Sequence, residues 1–248
     1  MSRMIFTTIT TAAPTPETVT AGPANSWAQV GGRLNYITVS GDRVCGADIN
    51  SQIFCTSTQD TNAYANPNTQ WSKKNGNLKQ LSIFNTRACG VTTNDEIFCA
   101  DNIDNPNWIR LGGALMQIDL SGDKMCGVSK NNEIYCAPYM SSDWAKKEGG
   151  LKHISISGTK ACGTNGNDDI FCTDNIDMPQ WQHIGGKLKQ IDLTGDKMCG
   201  VNSADDIFCA PYKSDQWTQL QGKLKYIVQD NVHMFGVQAD NTIYKQKM

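Results

Sequence analysis

The sequence predicts an all-β protein: a six-bladed β-propeller of four-stranded antiparallel blades, closed by pairing of the N-terminal Trp strand with the C-terminal blade. Three observations carry that expectation. Six tryptophans, Trp27, Trp71, Trp108, Trp144, Trp181 and Trp217, are spaced by 44, 37, 36, 37 and 36 residues. Each opens the same frame: "WIRLGGALMQIDLSGDKMCGVSKNNEIYC" and "WQHIGGKLKQIDLTGDKMCGVNSADDIFC" are two copies. No window shows a helical period over three turns, and a repeat of this length matches one propeller blade.

Each element of the frame follows in order. The Trp segment forms the outer strand, with the Trp as a packing residue, the usual fate of a large amphipathic ring. A Gly–Gly pair, such as Gly185–Gly186, marks the step from that strand to the next. "LKQIDL" alternates apolar and polar residues, the signature of a half-buried strand. "MCGV" and "DIFCA" are short β-rich runs separated by turn residues, a hairpin. The frames start at about 27, 71, 108, 144, 181 and 217, and residues 1–25 form an N-terminal extension to a single domain spanning 1–248. The longer first gap reflects an insert in "TSTQDTNAYANPNTQ". The last frame lacks a Trp strand after it and the first lacks the strands before it, so ring closure joins the two ends and removes the open edges.

A slower period is superposed. Odd frames carry "SGDR", "SGDK" or "TGDK" before the first cysteine, and even frames carry "FNTR", "SGTK" or "QDNV". After the second cysteine, "APYMSSDW" and "APYKSDQW" alternate with "ADNIDNPNW" and "TDNIDMPQW". Core positions do not need this alternation, whereas loops that carry function do.

Ten cysteines fall as five pairs ten residues apart: Cys45/Cys55, Cys89/Cys99, Cys126/Cys136, Cys162/Cys172 and Cys199/Cys209. Even separation across a hairpin turn sets them opposite one another, at a distance that suits a disulfide. In the sixth frame Phe235 and Lys245 replace both members together. Intra-hairpin disulfides are the favoured reading. Free thiols packed as small apolar residues remain an alternative. Metal binding is disfavoured, because no CxxC or Cys/His ligand spacing occurs. An oxidised set implies an extracellular or cell-surface location and a reduced set a cytoplasmic one. The Thr/Ala/Pro-rich start lacks the apolar stretch of a secretory signal.

The net charge of −2 argues against a general nucleic-acid binder, and no apolar run reaches the length of a membrane span. The three histidines, His153, His183 and His233, have non-His counterparts in other frames; His153 stands where neighbouring frames have Gln80 and Gln190, and reads as a tolerated polar position. No catalytic motif, metal set or cofactor fingerprint is present, so no enzyme and no cofactor is expected. The acidic turns lack the spacing of a calcium loop and read as Asx-type turns.

The recurring Trp, Gly, Leu, Ile, "GV" and "DxI[FY]" positions, in register from Trp27 to about Lys245, resemble the tectonin repeat. That family includes lectins of slime moulds, fungi, horseshoe crabs, molluscs and fish eggs. The resemblance implies a propeller that binds carbohydrate without catalysis. The ligands it implies are glycans of microbial, nematode or fungal surfaces, lipopolysaccharide and O-methylated sugars among them, in innate defence or agglutination. Cysteine pairs in five frames are not a general feature of that family. A protein-interaction propeller without sugar binding is the alternative.

The loop joining the first and second strands of a blade shares a face with the loop joining the third and fourth. On that face the "DNID" of an even blade is expected to meet the "SGDK" of the next odd blade. The candidate ligand-binding residues are therefore Asn102, Asp104, Asn175 and Asp177 with Asp123, Lys124, Asp196 and Lys197. A third seam would use Asp42 and Arg43 with the N-terminal segment. Sugar hydroxyls need such acceptors and amide donors beside an apolar wall. Turn formation is the competing role for each Asp and Asn. The alternative seam uses Tyr139 and Tyr212 of the "APY" loops.

Overall fold

Within each frame the period-two alternation yields an inner strand, a buried second strand and a third strand that hides alternate residues. Blade three shows the pattern: Gln117–Ser121, Lys124–Val128, Glu133–Pro138 and Ala145–Gly150 run from the axis outward. Its second strand is buried along four of five residues, whereas its outermost strand is largely exposed. In the computed structural model, which describes residues 27–59 and 70–248, six such four-stranded antiparallel sheets stand around an axis, each inner strand beside the next. The expected extension 1–25 and most of the insert in the first gap lie outside the described residues.

The sixth blade is built from both ends of the chain. Tyr226–Gln229, His233–Val237 and Thr242–Lys247 supply three strands, and Ala28–Arg33 pairs with the last of them. The predicted closure is therefore present, with Ala28 opposite Lys245 and Val30 opposite Ile243.

The apolar core is six interblade seams rather than one centre. One seam joins Val91, Ile97 and the Cys89–Cys99 pair of blade two to Leu115, Ile118, Leu120 and Met125 of blade three.

The cysteines are oxidised, so the free-thiol alternative is set aside. The bridges are Cys45–Cys55, Cys89–Cys99, Cys126–Cys136, Cys162–Cys172 and Cys199–Cys209, each with Cα atoms 4.1 Å apart. In each hairpin the two partners stand directly opposite in register: Cys45 faces Cys55, Cys89 faces Cys99, Cys126 faces Cys136, Cys162 faces Cys172 and Cys199 faces Cys209. All ten are buried; Cys55, Cys172 and Cys209, on the third strands of blades one, four and five, are at most 7% exposed, and their partners on the second strands are fully enclosed. None of the ten is therefore left as a packed thiol or a metal ligand. Met125 and Met198 lie against the bridges of the preceding blades, with sulfur–sulfur contacts of 3.3–3.5 Å. In blade six Phe235 faces Lys245, as the frame alignment requires. The Lys245 ammonium lies 5.5 Å from the Phe235 ring centre and donates to the Thr58 carbonyl of blade one.

The hairpin turns behave as predicted. Asp48 Oδ1 accepts from the amides of Asn50 and Gln52, and Asn165 and Asn202 repeat this arrangement. The acidic residues Asp95, Asp168 and Asp205 close their turns at positive φ and pair with Lys79, Lys152 and Lys189. One expectation fails. The Gly–Gly pairs do not end the outer strand but lie inside it, where the pairing register slips by a bulge, as between Asp169 and Ile170 opposite Lys187 and Ile184.

Candidate functional site

Each tryptophan stands at the start of an outer strand, leans across the seam and rests on the preceding blade. Trp144 Nε1 donates to the Gly112 carbonyl at 2.7 Å, Trp181 to Glu148 at 2.7 Å and Trp217 to Gly185 at 2.6 Å. Trp71 and Trp108 do the same with Gly31 and Asn75, and Trp27 reaches Gln221 across the closure. The six rings thus form a belt of staples, consistent with the packing role expected from sequence. Their seat is a glycine with φ near +100°. At Gly149 an added Cβ would lie 2.6 Å from Trp181 Nε1.

Beside Trp71, Trp144 and Trp181 the seam leaves a groove, bordered in each case by the residue after the Gly seat. Arg33, Asn77, Ala114, Gly150, Lys187 and Lys223 hold that position. Lys187 lies across its own hairpin turn, donating to the Asn167 carbonyl at 3.0 Å and pairing with Asp169 at 2.6 Å, and Lys223 repeats this with Ala204 and Asp206. Ala114 has no such arm. Between blades two and three the groove opens to about 470 Å³, with Trp144 and Tyr135 as aromatic wall and Ile97, Ala114 and Leu115 as apolar lining. Asn94, Asp95, Asn131 and Glu133 supply carboxylates and amides at its rim. The Lys146 ammonium, followed by the Tyr135 hydroxyl, holds the Glu133 carboxyl below its ordinary range. Smaller copies of about 170 and 150 Å³ lie at Trp71 with Phe54 and at Trp181 with Phe171.

The sequence-predicted residues lie on the opposite face, and their pairing differs from the expected one. "DNID" turns back to the preceding odd blade, not forward to the next. Asp104 pairs with Arg43 at 2.6 Å and lies 4.0 Å from Lys74. Asp177 pairs with Lys124 and lies 3.7 Å from Lys147. The Lys124 hydrogen bond holds the Asp177 carboxyl below its ordinary value. Asn102 and Asn175 cap their own loops, each accepting from the amide two residues on, at Asp104 and Asp177. Asp123 and Asp196 also turn back, to Arg87 and Lys160 of the even blades. Lys197 contacts Met248 Sδ at 3.3 Å. The seam expected to gather Asn102 and Asp104 with Asp123 and Lys124 is therefore not formed. The reason is geometric: each loop leans over the blade before it.

The parity of the loops nevertheless has a structural counterpart. In the seams from blade one to two and from three to four, the cation after the first loop meets the "DNID" carboxylate. In even-to-odd seams Arg87 and Lys160 meet the first-loop aspartates and lie 4.6 Å from the ring centres of Tyr139 and Tyr212. Burial raises both tyrosine hydroxyls, with Asp101 and Asp174 adding to it. Lys213 pairs with Asp174 at 2.5 Å and holds its carboxyl low. On this face Asp42, Arg43, Lys74 and Asp104 border a shallow hollow of about 260 Å³ with Thr56, Ser57 and Ser72. The N-terminal segment expected at that seam lies outside the described residues.

The frame-by-frame reading of His153 is also corrected. Its ring converges on Tyr226 across the axis, with Nε2 3.4 Å from the Tyr226 hydroxyl, which itself meets that of Tyr36. Burial first, with Lys152 adding to it, pushes the His153 imidazole down to about 3, so it is neutral at physiological pH. Among the described residues no group of three or more His, Cys, Asp or Glu side chains is placed to hold a metal ion.

The Tectonin domain model matches this chain over residues 15–137, 88–176 and 117–248. No curated protein matches it. Among solved structures, a chain of the mitotic checkpoint complex is similar over 97% of this chain and 99% of its own, at 10% identity and TM-score 0.62. Human WBSCR16 is similar over 88% and 77%, at 10% identity and TM-score 0.60. YCF48 bound to D1 peptide is similar over 90% and 95%, at 9% identity and TM-score 0.57. At such identities the likeness is one of fold alone.

Proposed function

Because the chain belongs to the tectonin domain family, we propose that it is a multivalent carbohydrate-binding protein whose main sites are the Trp-walled grooves between blades. The carrying observation is the groove between blades two and three. It sets an aromatic wall, Trp144 and Tyr135, against carboxylate and amide groups at Asp95, Asn94, Asn131 and Glu133. A pyranose has an apolar C–H face that stacks on an aromatic ring and hydroxyls that donate to carboxylates and accept from amides. The apolar lining at Ile97, Ala114 and Leu115 favours a sugar bearing a methyl group, as in O-methylated microbial, nematode or fungal glycans. Copies at other seams would give avidity on a surface that displays the sugar many times. Five disulfides are consistent with an extracellular place of action, and agglutination or innate defence is the role this fits.

A second, weaker contact is proposed on the loop face, where Asp42, Arg43 and Asp104 border a polar hollow. Of the other candidates there, Asp123, Lys124, Asp177, Asp196 and Lys197 serve first to tie neighbouring blades together, Asn102 and Asn175 to cap their own loops, and all would touch a glycan only at its edge.

The test is Ala114→Lys, which gives this seam the arm that Lys187 and Lys223 provide elsewhere and so should fold normally. Wild-type protein is expected to bind a subset of methylated glycans on an array, and the variant to lose that subset. No glycan binding by the wild type, or unchanged binding by A114K with normal folding, overturns the assignment.

A further inference from the structure

A further cavity lies on the ring axis, away from every groove described so far. Its walls are the six inner strands. These strands are stitched around the ring by side chains that bond the next blade's backbone. Gln80 exchanges two bonds with Ile118, Gln117 with Ile154 and Gln190 with Ile227. Tyr36, His153 and Tyr226 occupy the same position in the other three blades. Instead of stitching, they reach across the lumen and meet, with Gln80 Nε2 donating to the Tyr36 hydroxyl at 2.9 Å. The axis is therefore not a through-channel. It is a well of about 370 Å³, floored by two tyrosines and a neutral histidine and rimmed by the first-loop residues Gly41, Ser121, Gly195 and Asn231. That volume lies in the range of small-molecule sites.

Halfway up, the inner strands present Thr38, Ser82, Asp119, Ser155, Asp192 and Val228. Two of these six are carboxylates, and no lysine or arginine lines the well. Asp119 is held by the Ser82 hydroxyl at 2.8 Å and the Ile156 amide at 2.7 Å. Asp192 accepts from the Gln229 amide at 2.9 Å. Gln229 lines the same well and is only 4% exposed, and its Oε1 accepts no hydrogen bond, whereas its Nε2 is used twice. Burial pushes the carboxyl of Asp119 upward; burial, with the charge of Asp119 added, pushes that of Asp192 well up. The other titratable groups facing them are Tyr36, Tyr226, His153 and Asp230. None of these carries a positive charge there, because the imidazole is neutral.

An enclosed polar cavity with two carboxyl groups and no cation among its lining residues suits a guest that donates hydrogen bonds and carries positive charge, since such a guest would stabilise the carboxylate forms that burial disfavours. A bound metal ion is a poor fit, because no described group of three ligating side chains exists. We propose that the axial well binds a small organic primary ammonium compound, with Asp192, Asp119 and Gln229 Oε1 receiving its N–H donors. The serine oxygens of the wall already accept backbone amides, as Ser82 does from Leu120 and Ser155 from Leu193. The wall is thereby fixed before a guest arrives, which limits the ordering cost of binding.

The experiment uses the whole chain and three matched probes: 1,4-diaminobutane, 4-amino-1-butanol and 1,4-butanediol. Calorimetry is expected to rank them in that order, with no heat from the uncharged diol. Amide NMR shifts on addition of the diamine are expected at Leu193, Gln229 and Ile156, and not at the tryptophan Nε1 signals of the outer belt. Asp192→Asn keeps an acceptor for the Gln229 amide and removes the charge, and should weaken the diamine by about tenfold or more, the scale of losing one charged hydrogen-bond partner. Equal binding of diol and diamine, absence of binding at millimolar diamine, or shifts confined to the belt each overturn the proposal. The NMR map is read on wild-type protein, so it decides the matter even if D192N folds poorly.

Discussion

Replacing Gly149 by alanine tests whether the tryptophan seats hold neighbouring blades together. Gly149 has φ +105°, and a Cβ there would lie 2.6 Å from Trp181 Nε1 and 3.0 Å from its Cδ1. Two costs follow. An L-residue held at positive φ costs about 1–2 kcal/mol. Pushing the indole off its seat costs about 1 kcal/mol for the bond to the Glu148 carbonyl, and about 1–3 kcal/mol for repacking a fitted aromatic ring. The sum is roughly 3–6 kcal/mol. Gly122→Ala is the internal control. Gly122 has φ +60° with nothing within 4 Å of the added methyl, so only the backbone cost of about 1–2 kcal/mol applies. Urea unfolding followed by tryptophan fluorescence should therefore place G149A well below G122A, and its emission should redden before the main transition. Equal midpoints for the two variants would refute the view that the belt carries interblade stability.

The other predictions concern the bridges, the well and the loop face. Converting Cys126 and Cys136 together to serine should cost about 3 kcal/mol by the chain-entropy estimate for a loop of this length, read as a lower denaturation midpoint. An unchanged midpoint counts against the bridge. Asp192 has a folded pKa raised above its unfolded value, so the folded state binds more protons between the two. That contribution is complete below about pH 4, the unfolded value, and is lost as pH rises through the folded one. The melting temperature of D192N should thus gain on wild type as pH increases, and a constant difference would contradict this. Asp177→Asn, at a pair whose aspartate is half exposed, should change stability by less than about 1 kcal/mol, and a larger loss would give the loop-face pairs more weight than they have here.

Blade number, strand order and hairpin register were readable because they follow from covalent spacing. Cysteines ten apart around a turn must face each other if the turn is regular, as Cys45 and Cys55 do, and Phe235 and Lys245 keep the same register where the bridge is absent. The direction of the loop seams was not readable. Whether Asp104 reaches Arg43 or Lys124 depends on the lean of one sheet over another, which no repeat period encodes. The floor of the well was hidden for a related reason. Tyr36, His153 and Tyr226 look like three unrelated variants of a glutamine position until the ring brings them together. The open groove left only a faint signal: Ala114 follows its Gly seat where Lys187 and Lys223 follow theirs, yet Gly150, smaller still, borders a groove of only about 150 Å³. The parity of the charged loops is the louder pattern in the sequence, and it masks this one, although the loops serve the seams.

The placement of the bridges has a consequence for how the molecule is made. Ten thiols can pair in on the order of a thousand ways, yet every partner here is ten residues away within one hairpin. Each bridge can therefore form as its own hairpin emerges during synthesis, with no need to wait for distant chain and little occasion for mispairing. Blade six is the exception, since its outer strand is made first and its remaining strands last. It is also the blade that carries Phe235 and Lys245 in place of a bridge. The one step that needs both ends of the chain is thus left free of covalent commitment, so it can be tried and repeated until the circle is complete.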